Sequence, residues 1–268
     1  MKDLEKKYRI AAVGYLNTKP LLYGLLRQEQ LADQIDLRLD IPSRCAELLL
    51  NDEVDLALVP VAILPELGNY HILSDFCIGT EGKVATVCIY ADRPIDDLQT
   101  IYLDYHSRTS VQLTRVLLRD HWQLDPGLLP AKPGYIKKIG GLVGGLVIGD
   151  RAIGLEKRFK YVYDLGEIWY QHTGLPFVFA AWVAKKPIDP GFIAPFNRAL
   201  GLGISKLHEL TYLLQSPRPD FDLEAYFSTN ISYVLDERKR QALALFLEKI
   251  ASRKGDLRTI RGMVPSGS

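Results

Sequence analysis

Gly14-Tyr15-Leu16-Asn17-Thr18-Lys19-Pro20 stands between two hydrophobic patterns of different period. Before it runs Ile10-Ala11-Ala12-Val13, a short apolar stretch of strand type. After it comes Leu21-Leu22-Tyr23-Gly24-Leu25-Leu26, which reads as helix. A strand turning directly into a helix is the first half of a β-α-β unit, from which α/β folds are built. A helix start also presents unpaired N–H groups and the positive end of the helix dipole, and both attract anions. Asn17 and Thr18 are favoured N-cap types, and Pro20 suits the first helical turn. Capping alone accounts for these residues; an anion site is the sharper alternative.

Outward from this turn the alternation recurs. Ile35–Leu39 reads as a second strand, Pro42-Ser43 opens an amphipathic helix through Cys45 to Leu50, and Asp55 to Pro60 reads as a buried strand. Val84–Tyr90 is strand-like, and the composition breaks at Ala91-Asp92-Arg93-Pro94. A second β-α series follows: Ile101–Leu103, a helix from Ser107 to about His121, Gly144–Ile148, and Tyr161–Leu165. Phe177–Ala184 is a long apolar run ending in Lys185-Lys186-Pro187. Two helical segments close the chain, Pro190 to Leu214 and Asp236 to Ser252, and Phe192, Phe196, Leu200 and Ile204 give the first a core-facing stripe. The tail Met263–Ser268 is expected to be disordered. The expected architecture is α/β with mainly parallel strands, in two lobes. Residues 1–90 with 182–268 form one and 91–181 the inserted other, with crossovers near 88–94 and 175–187 and a ligand cleft between.

A chain of 268 residues, 47% hydrophobic, can bury a large core. Its 33 basic and 32 acidic residues leave a formal charge of +1, no footprint for nucleic acid or an acidic membrane. Cys45, Cys77 and Cys88 are odd in number and widely spaced, which reads as reduced thiols rather than disulfides or a zinc site. The start, Met1-Lys2-Asp3-Leu4-Glu5-Lys6-Lys7, lacks the roughly 7–15 apolar residues of a secretory signal. No run approaches the roughly 18 apolar residues of a membrane span. The expectation is a cytoplasmic protein that is a monomer or homodimer.

Two further turns carry candidate chemistry. Asp104-Tyr105-His106-Ser107-Arg108-Thr109-Ser110 again joins a strand to a helix, and its three hydroxyls and guanidinium at a helix start suit a carboxylate. Ile148-Gly149-Asp150 ends another strand, with Asp150 either capping a helix or facing the cleft. His106 is the histidine nearest these groups. Gly140-Gly141 and Gly144-Gly145 lack the spacing of a nucleotide-phosphate loop, and neither H-E-x-x-H nor G-x-S-x-G occurs.

The ordered set Tyr15-Leu16-Asn17-Thr18-Lys19-Pro20-Leu21, Ser107-Arg108-Thr109-Ser110, Ile148-Gly149-Asp150, Asp164-Leu165-Gly166, Trp169 and Thr173-Gly174-Leu175-Pro176-Phe177-Val178 resembles the chorismate dehydratases, from about residue 8 to 250. The resemblance implies a two-lobe fold of the type II periplasmic-binding-protein kind. It implies conversion of chorismate, a small dicarboxylate, to 3-[(1-carboxyvinyl)oxy]benzoate and water on the futalosine route to menaquinone, with no metal and no organic cofactor. By the same resemblance Asn17 lies near the departing hydroxyl, and Thr86 stands where the family commonly has a cleft-facing Ser. Ser107, Arg108, Thr109 and Ser110 hold a carboxylate, and Thr18 and Asp150 complete the substrate-binding set. Gly14 departs from the family's usual Ser. Two other readings stay open on this fold: the sister enzyme 1,4-dihydroxy-6-naphthoate synthase, and a solute-binding protein without catalysis.

Overall fold

A computed structural model describes residues 7–261, apart from the side chains of Gln30 and residues 253–261. The tail Met263–Ser268 lies outside the described residues. Eleven strands occur among them: β1 (Tyr8–Val13), β2 (Ile35–Asp40), β3 (Leu56–Pro60), β4 (His71–Thr80), β5 (Val87–Ala91), β6 (Thr100–Leu103), β7 (Gly127–Pro130), β8 (Val143–Ile148), β9 (Tyr161–Asp164), β10 (Phe177–Ala184) and β11 (Ser232–Val234). They form two sheets. The first has the order β11-β4-β10-β3-β1-β2 and the second β7-β6-β8-β5-β9.

The sheets are mixed rather than mainly parallel. β1 pairs in parallel with β2 and β3, and β6 with β7 and β8. β10 runs antiparallel to β3 and β4, β11 to β4, and β5 to both β8 and β9. Each antiparallel pair contains a strand that flanks a crossing, β4, β5 or β10; none of these pairs is linked by a β-α-β connection within one sheet, so no rule forces it parallel. This also moves the boundaries. Val87–Ala91 belongs to the second sheet and Phe177–Ala184 to the first. The chain therefore crosses between Thr80 and Val87 and returns between Asp164 and Phe177, before the expected 88–94 and 175–187.

β4 went unread because its alternation is broken: its ladder with β10 shifts register twice, between Val178 and Ala180 and between Ala181 and Val183. The fully apolar β3, β5 and β10 are buried along their whole length, as strands covered on both faces must be.

The helix Lys19–Leu26 packs on the helix Pro190–Ser205 with backbone against backbone. A Cβ on Gly24 would lie 1.8 Å from the Ala199 carbonyl oxygen, and one on Gly203 would lie 1.9 Å from that of Pro20. Only glycine allows this approach.

Candidate functional site

The carboxyl ends of β1, β3, β6 and β8 converge where the two sheets face one another, the position at which open α/β sheets hold ligands. A cleft open to solvent lies there, holding about 530 Å³ of empty space. Its polar wall is Tyr15, Asn17, Thr18, Thr86, Ser107, Thr109 and Ser110; Val13, Pro42, Pro60, Ile78, Val84, Ile148 and Phe179 supply most of the apolar one. No Asp, Glu, His, Lys or Arg is among the residues lining it.

Asn17 and Thr18 sit on a 3₁₀ turn, Leu16–Thr18, that joins β1 to the first helix. They do not cap that helix. The Thr18 hydroxyl instead donates to Asn17 Oδ1 at 3.2 Å. This fixes the amide rotamer and leaves Asn17 Nδ2 without a partner among the described residues. The Tyr233 hydroxyl donates to the Asn17 carbonyl at 3.0 Å, pinning the turn from behind.

Ser107 caps the helix Thr109–Leu117: its Oγ accepts from the Ser110 N–H at 3.0 Å. The Thr109 hydroxyl donates to the Phe179 carbonyl at 3.0 Å and accepts from the Ala62 N–H at 3.2 Å, tying this helix to the first sheet. Among the described residues, the N–H groups of Thr109 and Val111 find no protein acceptor, and they belong to the orphan donors of the helix start. Thr86 stands just before β5. Its carbonyl accepts from the Gly149 N–H at 2.8 Å, and its hydroxyl lies 2.9 Å from that of Tyr226.

Two expected ligand residues are placed elsewhere. The Arg108 guanidinium lies at the rim, 3.4 Å from Glu66 Oε2 and 4.0 Å from Glu47 Oε1, and it does not line the cleft. Two carboxylates hold it outward, so the helix N–H groups and hydroxyls remain as the anion-binding groups of this turn. Asp150 does not line the cleft either, and it does not cap its own turn. Its carboxylate accepts from the Leu16 N–H at 3.0 and 3.2 Å, so the anion at the first helix start is the protein's own. Burial pushes the Asp150 carboxyl up, opposed by the Leu16 N–H and by Lys19.

His106 does not reach the cleft but holds a residue that does. The Tyr15 hydroxyl and His106 Nδ1 are 2.5 Å apart across the two sheets, with the rings nearly parallel. Burial pushes Tyr15 up and His106 down, so neutral tyrosine donates to neutral imidazole. Beneath them Asp104, 1% exposed, accepts from the His106 and Ile148 N–H groups, the Tyr135 hydroxyl and Arg151. The Tyr15 ring needs the absence of a side chain at Gly149, where φ is +65° and a Cβ would lie 2.6 Å from the ring.

Both crossovers meet at Asp164. Its buried carboxylate accepts from Val84 and Ala85 in one crossing (3.1 and 2.7 Å) and from Gly166 and Glu167 at the head of the helix Leu165–Thr173 in the other (3.0 and 3.1 Å). Ala85 adopts φ 66°, a left-handed conformation that these bonds sustain. Sequence reasoning missed Tyr15, which lines the cleft, and Tyr226, which stands behind Thr86. Tyr15 lay inside a quoted motif, whereas Ala225-Tyr226-Phe227 reads as core and carries no local signal.

Among the described residues no cluster of three or more His, Cys, Asp or Glu is arranged to hold a metal, and no helix is long and apolar enough to cross a membrane. A family model described as menaquinone biosynthesis matches residues 8–252. A chorismate dehydratase of Thermus thermophilus is 29% identical over 238 residues, covering 78% of this chain and 84% of its own. Among solved structures, protein AF1704 from Archaeoglobus fulgidus superposes with a TM-score of 0.69 at 17% identity, covering 93% of this chain and 98% of its own. A Candida albicans protein described as having the generic periplasmic-binding-protein fold gives 0.60 at 12% identity, covering 98% and 92%. The alkanesulfonate-binding protein of Xanthomonas axonopodis gives 0.57 at 13%, covering 97% and 94%. At these identities the structural likenesses establish the two-lobe binding-protein fold.

Proposed function

The chain belongs to the menaquinone-biosynthesis family, and from that premise we propose that it is a chorismate dehydratase, forming 3-[(1-carboxyvinyl)oxy]benzoate and water on the futalosine route. The observation that carries this reading is a cleft built of hydroxyls, an amide and helix N–H groups, with no ionisable acid or base other than Tyr15 in its lining. Such a lining suits a substrate that brings its own charges and its own base.

In this reading one carboxylate rests on the free Thr109 N–H group with Ser107 and Ser110, where the helix dipole adds to the hydrogen bonds. The reaction breaks the C3–H and C4–O bonds, and the electron pair left at C3 becomes a ring double bond. A substrate carboxylate takes the C3 proton and returns it to the departing oxygen, so water leaves and the ring becomes aromatic. Asn17 Nδ2 and the Thr86 hydroxyl donate hydrogen bonds to that oxygen as charge gathers on it. Donors preorganised in this way contribute several kcal/mol without a protein base.

Purified protein mixed with chorismate, followed by HPLC with mass detection, tests this. Loss of one water to give a stable aromatic dicarboxylate is the expected result. Unchanged chorismate with a clear thermal shift supports a binding protein instead, and neither effect removes chorismate as the ligand.

A further inference from the structure

We propose that Tyr226 is a positioning residue for this dehydration, directing the Thr86 hydroxyl proton into the cleft. The inference rests on the reading of Thr86 given above and extends it to a residue outside the cleft. Thr86 lines the cleft and Tyr226 does not. Each is 1% exposed, and their oxygens are 2.9 Å apart, a distance at which either could donate.

Chemistry selects the direction. Tyr226 has no other hydrogen-bond acceptor among the described residues, and a buried hydroxyl proton without an acceptor is costly. The phenol is the stronger donor of the two, and burial keeps it protonated. Tyr226 therefore donates, and Thr86 Oγ1 accepts. The single Thr86 proton is then left for the cleft side, and a hydroxyl that accepts one hydrogen bond donates the next more strongly.

Neither partner can swing away. The Thr86 carbonyl holds the Gly149 N–H, Val87 pairs with Ile148, and the β-branched side chain has few χ1 choices. The Tyr226 ring is packed between Phe221 and Phe227, 5.2 and 5.7 Å away by centroid. Tyr226 comes from the C-terminal part of the first lobe, while Thr86 is the last residue before β5, the first strand of the second along the chain. Their bond thus joins the lobes at the reacting hydroxyl. Both residues keep their own protons through the reaction, because the proton leaving C3 ends on the departing oxygen.

Steady-state kinetics on chorismate with wild type, Tyr226→Phe, Thr86→Val and the double variant test the proposal. Tyr226→Phe is expected to lower kcat about tenfold with KM within about twofold, since the phenol touches no substrate. The double variant is expected to match Thr86→Val, because the phenol has nothing left to orient. Full kcat in Tyr226→Phe overturns the proposal. So does an equal loss from Tyr226→Phe in both backgrounds, which is the signature of packing alone. If Tyr226→Phe is too unstable to assay, proton NMR of the Tyr226 hydroxyl in wild type and Thr86→Val reads the same bond. A slowly exchanging resonance that shifts on loss of the threonine hydroxyl supports donation, and an unmoved one overturns it. Wild type that leaves chorismate intact refutes the dehydratase reading itself, is seen before any variant is made, and takes this proposal with it.

Discussion

Asp164→Asn separates the two tasks of one carboxylate. Asparagine caps helices about as well as aspartate, so its Oδ1 continues to accept from Gly166 and Glu167. The Val84 N–H, 3.1 Å from both carboxylate oxygens, keeps Oδ1, whereas Nδ2 faces the Ala85 N–H, donor against donor, and leaves both of those donors unsatisfied. At about 1–3 kcal/mol for each buried orphan, the loss is roughly 2–6 kcal/mol. Burial of the charge outweighs the four N–H bonds and holds the Asp164 carboxyl above its usual range. A raised carboxyl costs wild-type stability as pH rises above the usual carboxylate range toward the folded value. The substitution relieves it, so the low end of the range, about 2–3 kcal/mol, is expected. Asp164→Ala also removes the cap and falls about 1 kcal/mol further. Urea unfolding at pH 7 measures both. An Asp164→Asn protein within about 0.5 kcal/mol of wild type, with an unchanged m value, would refute the argument that this carboxylate holds the two crossings together.

Gly149→Ala places a methyl against the Tyr15 ring at a left-handed φ; stability falls by about 2 kcal/mol and KM rises several-fold, read by thermal melts and kinetics. Ser110→Ala raises KM for chorismate about tenfold, whereas Arg108→Ala, whose guanidinium faces Glu66 and Glu47, changes it less than about threefold; equal effects would return Arg108 to the site. Arg119 and Lys249 hold the Asp120 carboxyl down at about 2. A depressed carboxyl stabilises above its unfolded value and loses that contribution as pH falls from about 4 to 2, so Asp120→Asn costs about 1 kcal/mol at pH 7 and nothing near pH 2 by urea unfolding. His106 is held neutral, so stability drops as pH falls through its unfolded value near 6.5 toward the lower folded one; His106→Gln flattens that slope between about pH 7 and 5.

The strands and turns that carry the site were legible because they are local: β1, β3, β6 and β8 are short apolar runs that end in Pro or run into Gly or Asp. β4 was hidden by its bulges and β11 by its three-residue length. The lobe boundaries were misplaced because Val87–Ala91 is as apolar as any strand of the first sheet, and apolarity does not say which sheet a strand joins. Arg108 and Asp150 were credited with ligands because sequence shows a charge without its partners, and Glu66 and Leu16 lie 42 and 134 residues away. Tyr226 is 140 residues from Thr86, and no pattern within a helix or strand encodes such a pair.

The meeting of Gly24 with Gly203 separates durability from aim. The helix behind Asn17 is seated on main-chain atoms, whose dimensions do not change with sequence, and not on side chains whose volumes do. Hydrophobic substitutions elsewhere in the first lobe can alter how firmly it holds together while the reactive amide keeps its bearing. A single methyl at either glycine disturbs both. It forces main chain from main chain, so the protein loses stability and the turn carrying Asn17 shifts with its helix.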